Sequence, residues 1–358
     1  MNVYFKDRIG GLDMSDIDLA GLISSYDGPP LRIMEVCGTH THEIFRLGIR
    51  KILPPQVELI SGPGCPVCVT PTGFIDEALM LALEKNATIC TFGDLVRVPG
   101  SEMSLGDARQ KGANVKIVYS PTDACDYAAQ NPEEQVVFLA VGFETTTPAD
   151  VLAVKKAAEA GLKNFSILTA TKTMPNAYQA LKGSADVFLY PGHVNAITGT
   201  KLCEELAEQG VSGVVAGFTA KELLLALAVA IKKGAEGKPF FENCYPRVVT
   251  REGSVEAQKL VEEMMEPCDE EWRGLGVIPM SGTRLKEKYA DFDARRKFDL
   301  PPIVGRSNPA CRCGEILQGK CKPTDCPVYG KVCTPDHPVG ACMVSGEGAC
   351  SAYYRYAE

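Results

Sequence analysis

The chain has 358 residues, 45% of them apolar and 23% charged, with a net charge of −8. That length accommodates two or three domains, and the acidic balance lacks the basic footprint that nucleic acid or an anionic membrane surface would require. The richest apolar run, 223–231, is closed by Lys232 and Lys233 and is too short to span a bilayer.

The N-terminal residues carry acids where a secretion signal needs an apolar core, so a cytoplasmic location is expected. Structural disulfides are rare there, and fifteen cysteines point instead to metal or redox chemistry. From 31 onward, short apolar strands at 31–36, 57–61, 88–92, 115–119, 135–141, 165–170, 187–190 and 211–216 alternate with helical stretches such as 74–84, 151–160 and 221–232. Such alternation predicts an α/β fold with parallel sheets covered by helices. The segments Ser120-Pro121-Thr122-Asp123 and Thr147-Pro148-Ala149-Asp150 each offer a hydroxyl cap, a proline at the first helical position and an early acid. Beyond about 236 the rhythm changes. One amphipathic helix is expected at 255–265, a glycine-broken strand and turn at 274–282, and a solvated charge run at 291–296.

In parallel sheets, ligands collect at the loops that follow the strand ends. Here those loops hold Cys37-Gly38-Thr39-His40, Gly62-Pro63-Gly64-Cys65-Pro66-Val67-Cys68, Gly142-Phe143-Glu144-Thr145-Thr146 and Pro191-Gly192-His193-Val194-Asn195. The Cys65-x-x-Cys68 pair suits thiol–disulfide chemistry, since a nearby helix start favours thiolate. Half of a zinc site is the alternative, but the chain has no second CxxC. Cys37 with His40 could bind a late first-row metal or act as an activated nucleophile. The plainer alternative is a buried cysteine beside capping Thr39 or Thr41. Three of the four histidines, at 40, 42 and 193, fall in these loops, which favours function. Glu144 suits a general base or a hydrogen-bonding group. Neither GxxxxGK[ST] nor GxGxxG occurs, which disfavours a standard nucleotide loop.

The tail concentrates cysteine at 311, 313, 321, 326, 333, 342 and 350, among glycines and prolines and without apolar periodicity. Such a stretch cannot repay its ordering entropy by apolar burial alone. An iron–sulfur cluster is favoured as its staple, with zinc and then disulfides behind it. Cys311-Arg312-Cys313 is too tight for a standard zinc knuckle, and Cys326-Pro327 is a dipeptide found in cluster-binding runs.

Together, CGTHTHEIFRLGIR at 37–50, SGPGCPVCVTP at 61–71, GFETTTP at 142–148, PGHVNAI at 191–197 and the tail resemble the HypD family of [NiFe]-hydrogenase maturation factors. The resemblance runs from about 31 to 356. It implies an N-terminal segment 1–30, Rossmann-like domains at 31–135 and 136–235, and a loop-rich cluster domain at 236–358. It assigns a [4Fe–4S] cluster to Cys311, Cys326, Cys333 and Cys350, spaced C-x14-C-x6-C-x16-C. Essential thiols fall on Cys37, Cys65 and Cys68, with Thr39, His40, Glu144 and His193 completing the expected site. Cys313, Cys321 and Cys342 are then left over, as buried residues or an auxiliary thiol pair. The implied function is scaffolding and redox chemistry for assembly of an Fe(CN)2CO unit, with iron held transiently at Cys37 together with a HypC cysteine and electrons relayed from the cluster to the Cys65/Cys68 pair. The expected partners are a HypC-like small chaperone and a HypE-like cyanide donor. A stand-alone iron–sulfur thiol–disulfide oxidoreductase and a zinc-stabilised interaction module are the rival expectations.

Overall fold

A computed structural model describes residues 8–9, 12–13 and 18–356. The strands in chain order are β1 (Arg8–Ile9), β2 (Leu12–Asp13), β3 (Leu31–Glu35), β4 (Val57–Ser61), β5 (Thr88–Thr91), β6 (Val115–Ile117), β7 (Val136–Gly142), β8 (Phe165–Thr171), β9 (Val187–Pro191), β10 (Gly213–Ala216), β11 (Phe241–Asn243), β12 (Met265–Trp272) and β13 (Gly276–Leu285). The α/β expectation holds: two sheets are wholly parallel, in the orders β11-β10-β9-β3-β4 and β6-β5-β7-β8. Every position of β7 and β8 is buried, as expected for strands covered on both faces.

The sheets do not follow the expected division at 135/136. That boundary cuts through the second sheet, where Thr88 pairs with Val136. The first sheet joins the early strands to much later ones, with Ile33 opposite Val187, and β11 still belongs to it beyond residue 236. Residues 88–171 therefore build one sheet inside the sequence of the other. Apolar periodicity marks where strands are and which faces they bury, but not which strands pair.

The order in which successive strands are laid down reverses in the first sheet between β3 and β9, and in the second between β5 and β7, although the strands stay parallel. Such switch points open a crevice at the strand ends. The motif loops of Cys37 and His193 follow the adjacent strands β3 and β9.

The expected helix at 255–265 ends one residue early, and Met265 starts the antiparallel hairpin β12–β13. Burial along β12 alternates, with Asp269 and Glu271 on the wet face and Glu266 and Glu270 on the half-buried one. At the hairpin's inner end Trp272 is fully buried, donates from Nε1 to Ser281 Oγ at 2.8 Å and packs on Phe143. The charge run at 291–296 is only partly solvated: Arg295 reaches inward to Glu77 at 2.8 Å and to the Thr169 carbonyl at 2.9 Å. The tail from 301 carries only short helical turns until the helix Ala349–Tyr356. Its cysteines share one buried cluster with Cys65, Cys68, Phe143 and Trp272.

Candidate functional site

Cys37 follows β3 in extended conformation and starts the helix Gly38–Arg46. The backbone N–H groups of His40 and Thr39 face its sulfur and favour the thiolate, but burial dominates and pushes the thiol up to about 12. The CPVC loop lies directly on this residue. Gly38 N–H donates to the Gly64 carbonyl at 2.9 Å, and a Cβ on Gly64 would stand 2.1 Å from the Cys37 nitrogen. Only glycine allows that approach.

Around Cys37 the side chains form a tight group. His40 is fully buried, and its Nε2 lies 3.0 Å from the Gly217 carbonyl. A carbonyl only accepts, so Nε2 carries the proton and the Nδ1 lone pair faces no partner. Burial pulls His40 down to about 4, keeping the imidazole neutral. Phe218 lies between the two histidines, 3.8 Å from the His193 ring and 4.7 Å from that of His40. Burial also lowers His193 from its ordinary value.

Thr39 Oγ1 donates to Glu347 Oε1 at 2.6 Å. Glu347 comes from the tail, three residues before Cys350, and its charge reaches both Cys37 and His193. Sequence reasoning missed it. The GEG tripeptide at 346–348 hinted at a shaped turn, but its partner stands 308 positions away.

Glu144, at the end of β7, does not join this group directly. Its Oε1 accepts from the Met174 N–H at 2.8 Å, while Oε2 is buried without a partner. Burial raises the carboxyl to about 7. Tyr178 stands between, interacting with Glu144, Cys203 and Cys37, and its hydroxyl is likewise buried and unpartnered.

Cys65 starts the short helix Pro66–Val69, and its sulfur accepts from the Cys68 N–H at 3.3 Å. Both thiols are buried, and burial pushes Cys68 well above its ordinary value. The next thiol outward is Cys342, which interacts with Cys313, Cys350 and Cys68 together. Hydrogen bonds from these neighbours, Cys313 first, hold Cys342 well below the usual thiol range. Two of the three cysteines left over by the family spacing, Cys313 and Cys342, thus lie between Cys68 and the four cysteines that the spacing selects.

Cys311 Sγ stands 3.2 Å from Cys313 Sγ. A Cβ on Gly340 would come within 2.6 Å of both sulfurs, so this approach also requires glycine. Cys333 accepts from the Val339 N–H at 3.3 Å and senses Cys311, while Cys326 lies 3.8 Å from the Ala310 carbonyl beside Cys311. Cys350 contacts Cys313 and Cys342. Cys321 stands apart, half-buried near Arg312.

Among the described residues no three His, Cys, Asp or Glu side chains converge as one metal ion demands, and no helix is long and apolar enough to cross a membrane. The tail suits a polynuclear group better: several buried thiols approach it from a loop wrap, with a backbone N–H on one sulfur.

Comparison with known proteins agrees with this arrangement. The family profile described as HypD, hydrogenase formation hypA family, matches residues 19–357. The chain is 44% identical over 337 residues to the hydrogenase expression/formation protein HupD of Azotobacter chroococcum, covering 91% of this chain and 89% of that one. It is 44% identical over 342 residues to hydrogenase maturation factor HypD of Cupriavidus necator, covering 92% and 90%. With hydrogenase maturation factor HypD of Escherichia coli it shares 43% over 335 residues, covering 91% and 89%. The chain belongs to the HypD family of hydrogenase maturation factors.

Proposed function

We propose that the chain is the scaffold and redox centre on which the Fe(CN)2CO unit of a [NiFe]-hydrogenase is assembled. The observation that carries this reading is the contact of the Gly64 backbone with Cys37, which sets a metal-capable thiol against a dithiol pair. Iron is the cargo, held between Cys37 and a cysteine of a HypC-like chaperone. A thiol raised to about 12 stays protonated until a cation arrives, and metal binding then displaces the proton. The Glu347 carboxylate, whose charge reaches Cys37, is the nearby acceptor for it. His193, with its ring stacked on Phe218, lines the same mouth.

Cyanide comes from the thiocyanate of a HypE-like donor. The Cys65/Cys68 dithiol supplies two electrons and two protons: the donor's S–C bond breaks, its sulfur leaves as a thiol, cyanide leaves as HCN, and a Cys65–Cys68 disulfide forms. Cys342 then attacks Cys68 Sγ and releases Cys65. Cys313 attacks Cys342 Sγ and releases Cys68, restoring the pair and leaving a Cys313–Cys342 disulfide that two single-electron reductions would reopen. Cys342 interacts with both Cys68 and Cys313, which suits it to carry the exchange between them. Cys311, Cys326, Cys333 and Cys350 would hold a [4Fe–4S] cluster, which when bound supplies single electrons. Glu144, raised to about 7, holds a proton one side chain away from Cys37.

The test is anaerobic co-purification with a HypC-like partner, followed by infrared spectroscopy. Cyanide and carbonyl bands that vanish in Cys37→Ser are expected. Thiol–disulfide turnover on a small substrate without any partner, together with no such bands, would favour the stand-alone oxidoreductase instead.

A further inference from the structure

Arg273 follows β12 directly and is buried at 8% exposure. Its backbone N–H donates to the Val69 carbonyl at 2.7 Å, Nε donates to Thr70 O at 2.7 Å and Nη2 to Pro99 O at 3.3 Å. The adjoining Gly274 lies so close to Gly314 that a Cβ would come within 2.2 Å of the Gly314 Cα. The guanidinium is thereby wedged between the end of the CPVC helix and the Cys313 turn.

Two other guanidiniums that reach inward are matched to carboxylates: Arg50 to Glu35 at 2.6 Å and Arg295 to Glu77 at 2.8 Å. No ion pair to a carboxylate is found for Arg273 among the described residues. The ionisable groups it faces are Cys313, Cys342, Cys311 and Cys68, in that order of strength, which carry negative charge as thiolates or as ligands of a cluster. A guanidinium stays charged in proteins, and a buried charge without a counter-charge is costly. The missing counter-charge therefore has to come from those sulfurs.

We propose that Arg273 is the counter-cation of the sulfur centre, a positioning residue whose field favours the reduced, more negative state of the groups held by these cysteines. At a cluster an added electron adds negative charge beside a fixed cation with no proton required, and at the thiols the same cation favours thiolate over thiol and so the reduced pair. A cavity of about 260 Å³, lined by Arg273, Asn308, Cys311 and Cys313, borders the same place. The cluster arm of the test rests on the tail reading proposed above, whereas the thiol arm does not.

The experiment compares wild type, Arg273→Lys and Arg273→Gln as anaerobically purified full-length protein. Iron and sulfide content is measured first, then the midpoint of the cluster by dithionite titration followed by electron paramagnetic resonance. In protein prepared without iron, the Cys65/Cys68 midpoint is read by thiol trapping in glutathione buffers. Removing the charge is expected to lower electron affinity at the cluster about tenfold, or about 59 mV for a one-electron couple. The thiol midpoint should move in the same direction, and Arg273→Lys should stay near wild type. If Arg273→Gln does not fold, Asn308→Asp replaces it: it keeps the acceptor used by the Ala310 N–H and adds a carboxylate to the cavity wall. It should also lower the cluster midpoint. Absence of iron and sulfide from wild type would sink the cluster reading while the thiol arm still decides Arg273. Equal midpoints in folded wild type and charge-altered variants would overturn the proposal.

Discussion

The first parallel sheet and the cysteine-rich tail hold their thiols in opposite ways. Cys37 and Cys65 sit where β3 and β4 end, each starting a helix, and their positions follow from strand pairing and a buried aliphatic core. The tail has almost no regular backbone between 301 and 348, and its sulfurs are packed against one another and against glycine backbone. Sheet thiols are thus placed by the fold. Tail thiols depend on one another, and on whatever joins them. The difference suits a division of labour, in which a rigid end grips cargo and an adaptable end carries charge.

The largest effect should come from Cys37→Ser. Cyanide and carbonyl infrared bands in the complex should disappear entirely, while stability changes by no more than about 2 kcal/mol, as for most single substitutions. Loss of the fold along with the bands would break the claim that the sheet places this thiol unaided. Next comes Cys326→Ala, at a buried tail sulfur. Far-ultraviolet circular dichroism should stay close to wild type, but proteolysis within 301–340 should speed up by about tenfold, equivalent to about 1.4 kcal/mol of local opening. Cleavage spread evenly over both regions would show that the two are not separate.

The same contrast explains what the sequence made legible. Strand-then-cap grammar located Cys37, Cys65, Cys68, Glu144 and His193 at strand ends, because local chemistry dictates where a strand stops and a helix starts. The pairing of 31–61 with 187–243 stayed hidden, since a period of two reports faces and not neighbours. The acids of β12 concealed a strand because one of its faces is wet. Glu347, Cys342 and Arg273 owe their places to contacts with Thr39, Cys68 and Thr70, hundreds of positions away. No local pattern encodes such contacts.

Glu144 tests the second sheet through pH. Below the ordinary glutamate value of 4.5 its carboxyl is protonated in both folded and unfolded chains. Between 4.5 and about 7 the unfolded chain releases the proton while the folded protein keeps it, so stability falls as pH rises. Above about 7 the full penalty, roughly 3 kcal/mol, is in place. Glu144→Gln keeps an acceptor for the Met174 N–H and should flatten that slope in urea unfolding from pH 4.5 to 8. A slope carried instead by tail proteolysis would place this titration in the wrong region.

The smallest effect should come from Thr219→Ala. Thr219 Oγ1 accepts from the Glu222 N–H, and Glu222 Oε2 accepts in return from the N–H groups of Thr219 and Phe218, closing a capping box on the helix Ala220–Gly234. Losing the hydroxyl should cost about 1 kcal/mol in urea unfolding. The helix covers the first sheet, so the loss should appear in the global transition and leave the tail's cleavage rate unchanged. Phe218 adjoins this cap and stacks between His40 and His193, which gives the variant a second readout. If Glu222 alone still anchors the Phe218 N–H, the titration of His193 followed by NMR should stay at its lowered position. A His193 titration returned to its ordinary value would show that the rigid end of the molecule depends on a single hydroxyl, and the contrast with the tail would narrow.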